Sequence, residues 1–210
     1  MAEENKVSGL PLGLLAFLPF ILFGCASAAN HWRIATGGGL LLSLFYLGVL
    51  YRRGIVIKLM DWITLTVFII GSVLTLGMRW ALFPLYNEVL IWSCFAVAAW
   101  MSVAIGRPFT IAYARENAPP EFWQHPIFLP LNFVMSLFWS GLLSVNVGLA
   151  MIGVIIGGTF GRLVPGLALP MILLILGFVF NSRFPPRYFA YAGYQADAKT
   201  ETGKDLLRHS

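Results

Sequence analysis

Three polar side chains stand out because each lies at or within a long apolar stretch, where a polar group could bind an ion or a small solute. Glu88 begins one such stretch, and it is either an ion-pair partner of Arg79 or a ligand for an ion or solute. Asn132 and Asn146 lie inside another stretch, where their amide groups need hydrogen-bond partners. Glu88, Asn132 and Asn146 therefore form a candidate polar pathway.

The sequence lacks the residue constellations that catalysis and metal binding require. The histidines His31, His125 and His209 fall in three separate segments, and neither Cys25 nor Cys94 has a second ligand at the spacing of a metal site. It has no Walker sequence and no nucleophile elbow, and no ionisable residue lies near the centre of an apolar stretch. We therefore expect a protein that is not an enzyme and carries no cofactor.

The composition indicates that lipid is the main solvent of this chain. Of its 210 residues, 59% are hydrophobic and 11% are charged, and the mean hydropathy is +0.80. Soluble domains carry about 25% charged residues. The formal net charge of +5 fits a bilayer with anionic headgroups better than nucleic acid as a partner. We expect an all-α, polytopic helical bundle in the membrane.

Apolar stretches divide the chain into six predicted transmembrane helices, since a hydrocarbon core of about 30 Å needs roughly 20 residues per helix. One stretch, residues 126–161, is uncharged and long enough to be either one tilted or kinked span or a hairpin of two. The six-span interpretation places the spans at about residues 9–30, 34–51, 61–79, 87–106, 128–158 and 163–182.

The distribution of basic residues decides between one span and a hairpin. With six spans, 11 of the 14 basic residues fall on one side of the membrane, whereas a hairpin divides them equally. The positive-inside rule therefore favours six spans with both termini in the cytoplasm. We expect one membrane domain over residues 1–187, a cytoplasmic loop at 107–126 and a cytoplasmic tail at 188–210.

Small residues recur at helical spacing through the fifth predicted span. Their spacing of four residues places them on one helix face, which lets a second helix approach closely. A single step of five predicts a rotated stripe or a kink. The second helix belongs either to this chain or to another protein. The stripe consists of Ser136, Ser140, Ser144, Gly148, Gly153, Gly157 and Gly161.

The loop at 107–126 is the densest set of polar and aromatic residues between the predicted spans. Pro108 suits the first turn of a short helix and Pro119 its end. The loop is either an amphipathic connector on the headgroups or a docking surface, and it is longer than a simple turn requires. The candidate contact residues are Arg107, Tyr113, Arg115, Glu116 and Trp123.

Several short motifs together resemble the bacterial intracellular septation protein A family. They are Phe17-Leu18-Pro19, Arg52-Arg53, Arg107-Pro108, Pro119-Pro120 before Trp123, Leu131-Asn132, Trp139, and Arg183 next to Pro185. The loop sequence at 114–117 and the long tail depart from the usual pattern and leave open a sister family of six-helix membrane proteins. The resemblance implies a multi-pass protein of the bacterial inner membrane that acts in septation, and it supplies no catalytic residues.

Three functional hypotheses follow. The first is a non-enzymatic inner-membrane protein that supports cell division and envelope organisation by binding membrane proteins, among them division or cell-wall synthesis components or a second copy of itself. The alternative is a small-solute transporter or channel that uses the polar pathway. A third is an accessory subunit of a membrane enzyme complex, with the small-residue stripe facing its partner.

Overall fold

A computed structural model describes residues 15–80, 82–117 and 120–208, and all regular secondary structure in these ranges is helical. This confirms the all-α fold class. The helices are α1 (Leu18–Ala28), α2 (Trp32–Arg52), α3 (Leu59–Ser72) continuing as a π-helix (Val73–Gly77), α4 (Phe83–Ala104), α5 (Thr110–Asn117), a 3₁₀-helix (Pro120–Gln124), α6 (Phe128–Ile156), α7 (Gly158–Leu163) continuing as a second π-helix (Val164–Ala168), and α8 (Leu169–Arg208).

Five of the helical segments are long and apolar enough to cross a membrane, and they coincide with the second to sixth predicted spans. The first predicted span, 9–30, corresponds to a shorter apolar helix at Leu18–Ser27, and its beginning lies outside the described residues. The uncharged stretch contains α6, a single helix of 29 residues, followed by the beginning of α7. The five segments are Trp32–Arg52, Leu59–Gly77, Phe83–Ala104, Phe128–Ile156 and Gly158–Tyr188.

The chain divides into two compact units, residues 1–95 and 96–210, and the division falls within α4. Aromatic side chains form the core of the first unit. Phe68 is buried, and its ring centroid lies 5.4 Å from that of Phe20 and 5.9 Å from that of Phe23. Gly39 on α2 makes room for Phe68, because a Cβ there would overlap the ring. Asp61 accepts a hydrogen bond from the Lys58 backbone at 2.9 Å, and so caps α3.

The second unit is built around α6. Phe180 of α8 stacks on Phe138 with a centroid separation of 4.0 Å, and Trp139 packs against Phe178 at 5.3 Å. Gly177 lets α8 approach, because a Cβ there would lie 2.9 Å from the Trp139 ring. Helix α8 continues through Pro185 and Pro186 to Arg208. The predicted boundary at residue 187 is therefore not the end of a helix.

A turn of two glycines ends α6. Gly157 and Gly158 have φ of 68° and 63°, in the left-handed region that residues with a Cβ rarely adopt. Beyond this turn, α7 packs closely on α6, so that a Cβ on Gly153 would lie 2.6 Å from the carbonyl oxygen of Gly161. The predicted fifth and sixth spans thus meet through glycine at their junction.

Candidate functional site

The loop at 107–126 is attached to α6 by buried hydrogen bonds from its first helical residue, Thr110. The Thr110 hydroxyl donates to the carbonyl oxygen of Asn132 at 2.8 Å and lies 2.9 Å from the Ser136 hydroxyl. All three residues are buried. Just before α5, the Phe109 N–H donates to the Ser102 hydroxyl at 3.3 Å. These bonds fix the start of α5 on the second unit.

Two of the predicted contact residues of this loop lie against each other. The Arg115 guanidinium carbon lies 5.3 Å from the centroid of the Trp123 ring, a cation–π geometry. Trp123 is 39% exposed and its neighbour Phe122 is 47% exposed. Arg107 and Glu116 are exposed, and Tyr113 is half-buried with its ring edge-on to Phe109 at 6.4 Å. We call Arg115, Glu116, Phe122 and Trp123 the loop patch.

The small-residue stripe does not form one continuous helix face. Ser136 and Ser140 are buried within the second unit, whereas Ser144 and Gly148 are exposed. The three serines lie on α6, and the Trp100 indole donates to the Ser144 hydroxyl at 3.0 Å. The last three glycines of the stripe do not share one helix, because α6 ends at Ile156. Gly153 is on α6, Gly157 is in the turn and Gly161 is on α7.

The two asparagines of the candidate polar pathway have different surroundings. Asn132 donates from Nδ2 to the Phe128 carbonyl oxygen at 2.8 Å. Asn146 is 0% exposed, and neither its Nδ2 nor its Oδ1 has a hydrogen-bond partner among the described residues. The two asparagines lie 14 residues apart on α6, which separates them by about 21 Å along the helix. Glu88 lies on α4 in the first unit.

Sequence reasoning missed a basic depression in the first unit. It has a volume of about 510 Å³, and Asn30, His31, Arg33, Thr75, Arg79 and Trp80 contribute to its lining. We call it the arginine depression. In the sequence, Arg33 and Arg79 contribute to the charge on one side of the membrane, and Arg79 is a candidate ion-pair partner of Glu88. Within the described part of the chain, neither guanidinium has a hydrogen-bond or ion-pair partner, so the predicted Arg79–Glu88 ion pair is not formed there.

Two hydrogen bonds hold the backbone segments that line the arginine depression. The hydroxyls of Thr36 on α2 and Thr75 in the first π-helix lie 2.7 Å apart, which joins the beginning of α2 to the end of the π-helix. The Trp32 indole donates to the Asn30 side-chain oxygen at 2.8 Å and fixes the turn before α2. The depression therefore lies between two secured backbone segments.

We find no match to the chain among protein-family models, curated proteins or solved structures. Function is therefore inferred from the chemistry of the described residues. Across ranges 15–80, 82–117 and 120–208, no three His, Cys, Asp or Glu side chains lie close enough to hold a metal ion. The loop patch places a cation against an aromatic ring, and the lining of the arginine depression includes both arginines and tryptophans. Such surfaces bind protein partners or anionic groups.

Proposed function

We propose that this chain is a multi-pass protein of the bacterial inner membrane that supports septation or envelope organisation by binding membrane-protein partners, without catalysing a reaction itself. The partner-binding surface in this proposal is the loop patch. Division and cell-wall synthesis components are the partners that the sequence resemblance implies. A second copy of the chain is a further candidate.

The observation that carries the proposal is that contacts within the chain hold the described parts of the loop near its start and near its end. Thr110 anchors its start to α6 through buried hydrogen bonds, and Arg115 stacks on Trp123 near its end. A surface that is already ordered loses less conformational entropy on binding. Tryptophan and arginine are also the residue types that most often dominate binding energy at protein interfaces. Both features favour a docking surface over a simple connector.

The proposed topology has six spans with both termini in the cytoplasm, which places the loop patch on the cytoplasmic side. The single α6 helix supports this count, because a hairpin in the same stretch would have moved the tail across the membrane. A reporter fused before Met1 and the same reporter fused after Ser210 should both give cytoplasmic signals. One cytoplasmic and one periplasmic signal would require an odd number of spans and would contradict the proposal.

Trp123→Ala is expected to lower the recovery of bound membrane proteins by about tenfold, since truncation of a central interface tryptophan removes a large share of the binding energy. The measurement is quantitative mass spectrometry of proteins crosslinked to the tagged chain in its native membrane. Division or cell-wall synthesis components should be among the proteins whose recovery falls. The fold should persist, because Trp123 is partly exposed.

Trp62→Ala is the matched control for this experiment. Trp62 is an exposed tryptophan at the beginning of α3, in the other unit. Its replacement should leave the recovered proteins unchanged. Equal recovery from wild type and Trp123→Ala, together with normal septa in a strain that lacks the chain, would rule out the proposed function.

A small-solute transporter or channel is the second candidate, and one observation favours it. Asn146 is a fully buried amide within an apolar helix, and it lacks a hydrogen-bond partner in the described part of the chain. Such a group is costly in an apolar environment unless a ligand or water satisfies it. A polar solute that passes α6 would supply that partner.

A further inference from the structure

The arginine depression brings together two arginine side chains that form no ion pairs within the described ranges and that lie, on the six-span topology, on the side of the membrane with few basic residues. Its two guanidinium groups, Arg33 and Arg79, have no ion-pair or hydrogen-bond partner among the described residues. On the six-span topology, Arg33, Arg79 and Arg162 are the only basic residues on the outer side of the membrane. Two of these three therefore line a single depression of about 510 Å³.

The backbone at Arg79 adopts a conformation that is uncommon for a residue with a side chain. Arg79 has a φ of 50° and lies just after the end of the first π-helix. The N–H of the next residue, Trp80, donates to the Leu74 carbonyl oxygen in that π-helix at 2.8 Å. Left-handed residues at helix ends are usually glycine or asparagine, because a Cβ is disfavoured there. Asn30, the other non-glycine residue with positive φ in the described ranges, follows this rule and also lines the depression. Arg79 departs from it.

The chemistry of the lining fits a phosphate group. Arginine binds phosphate through paired charge-assisted hydrogen bonds. The depression also contains the beginning of α2, where the positive end of the helix dipole attracts anions, and the N-cap residue His31 makes no capping hydrogen bond with its side chain. Arg33, Arg79 and the beginning of α2 therefore all contribute positive potential to the lining of the depression.

The rim of the depression indicates that the phosphate belongs to a lipid. Ile34 is 57% exposed and Trp80 is 42% exposed, so apolar and indole surfaces flank the cations. Both residues lie at the ends of candidate spans, where tryptophan favours the boundary between headgroups and acyl chains. A soluble phosphate compound would gain nothing from this apolar rim, whereas an acyl chain can lie along it.

We propose that the arginine depression binds the phosphate headgroup of an anionic phospholipid, with Arg33 and Arg79 as the phosphate ligands. The site is independent of the loop patch and lies in the other unit. Loss of lipid binding would therefore leave the partner-binding proposal unaffected, and the converse also holds.

The test is native mass spectrometry of the full chain in detergent, titrated with phosphatidylglycerol and, separately, with phosphatidylcholine. Wild type should retain phosphatidylglycerol in preference. The double variant Arg33→Gln with Arg79→Gln should bind phosphatidylglycerol about tenfold more weakly, as expected for the loss of charge-assisted hydrogen bonds. Arg52→Gln with Arg53→Gln removes the same charge from an exposed pair at the end of α2, and its affinity should change less than about twofold.

Arg79→Gly separates binding from folding. Glycine accepts the left-handed backbone, so this variant should unfold at the same or a higher temperature than wild type while its phosphatidylglycerol affinity falls. An equal loss of affinity in the double variant and in the Arg52/Arg53 control would overturn the site. Displacement of the lipid by inorganic phosphate at comparable concentration would also overturn the proposal, because it would assign the depression to a soluble phosphate compound.

Discussion

Gly153→Ala is expected to lower the free energy of unfolding by about 3 kcal/mol, at the upper end of the usual range for overpacking. The added Cβ would lie 2.6 Å from the Gly161 carbonyl oxygen and 3.3 Å from the Gly166 backbone nitrogen. Backbone atoms cannot rotate away as a flexible side chain can, and the two-glycine turn fixes α7 against α6. Equilibrium unfolding in mixed micelles measures the loss.

Gly148→Ala is the matched control, because Gly148 lies on the same helix and no atom lies within 4 Å of the position of its Cβ. Alanine is a better helix former than glycine by about 1 kcal/mol. The control should therefore be neutral or slightly stabilising. Similar destabilisation by both substitutions would show that the close approach of Gly153 to Gly161 does not limit stability.

These two glycines also address the question of whether the small-residue stripe packs within or between chains. Gly153 has its close neighbour, Gly161, in the same chain, whereas Ser144 and Gly148 are exposed. The spacing of glycines in the sequence does not show which of them contacts a helix of the same chain. It also does not show which glycine allows close helix packing and which adopts a left-handed backbone in a turn. Gly157 is of the second kind, with a φ of 68°.

Features that depend on local chemistry could be predicted from the sequence. Hydropathy located the five long apolar helices, because a transmembrane helix needs a contiguous run of apolar residues. Pro108 indicated the beginning of α5, since proline favours the start of a helix, whereas Pro119 lies outside the described residues. Asp61 caps α3 within one helical turn, so this contact also depends only on neighbouring residues.

Features that depend on contacts between distant residues could not be predicted. Thr110 attaches the loop to Asn132 and Ser136, but a threonine in a polar segment has no distinctive sequence pattern that predicts such contacts. Arg33 and Arg79 come together only after α2 and the first π-helix pack through Thr36 and Thr75. The π-helix itself gives no sequence signal that could have placed Arg79 at its end.

Asn146→Leu is expected to raise the free energy of unfolding by about 1–3 kcal/mol, the usual penalty of a buried polar group without a partner. Leucine has a similar size and removes both amide atoms, which lack partners among the described residues. Asn132→Leu is the control, because its Nδ2 donates to the Phe128 carbonyl oxygen and its replacement should give no such gain. The same unfolding measurement in mixed micelles compares both variants with wild type.

The sign of the Asn146→Leu effect separates the two candidate functions. A protein that acts only through partner binding at the loop patch does not need an amide within α6, so stability should rise while the crosslinked partners remain the same. A pathway for a polar solute needs the Asn146 amide as a hydrogen-bonding ligand. A solute or water bound to this amide offsets the free-energy cost of burying it, so that leucine would then bring no gain in stability. A fall in stability, with loss of solute uptake in reconstituted vesicles, would therefore contradict the partner-binding proposal and establish Asn146 as a transport residue.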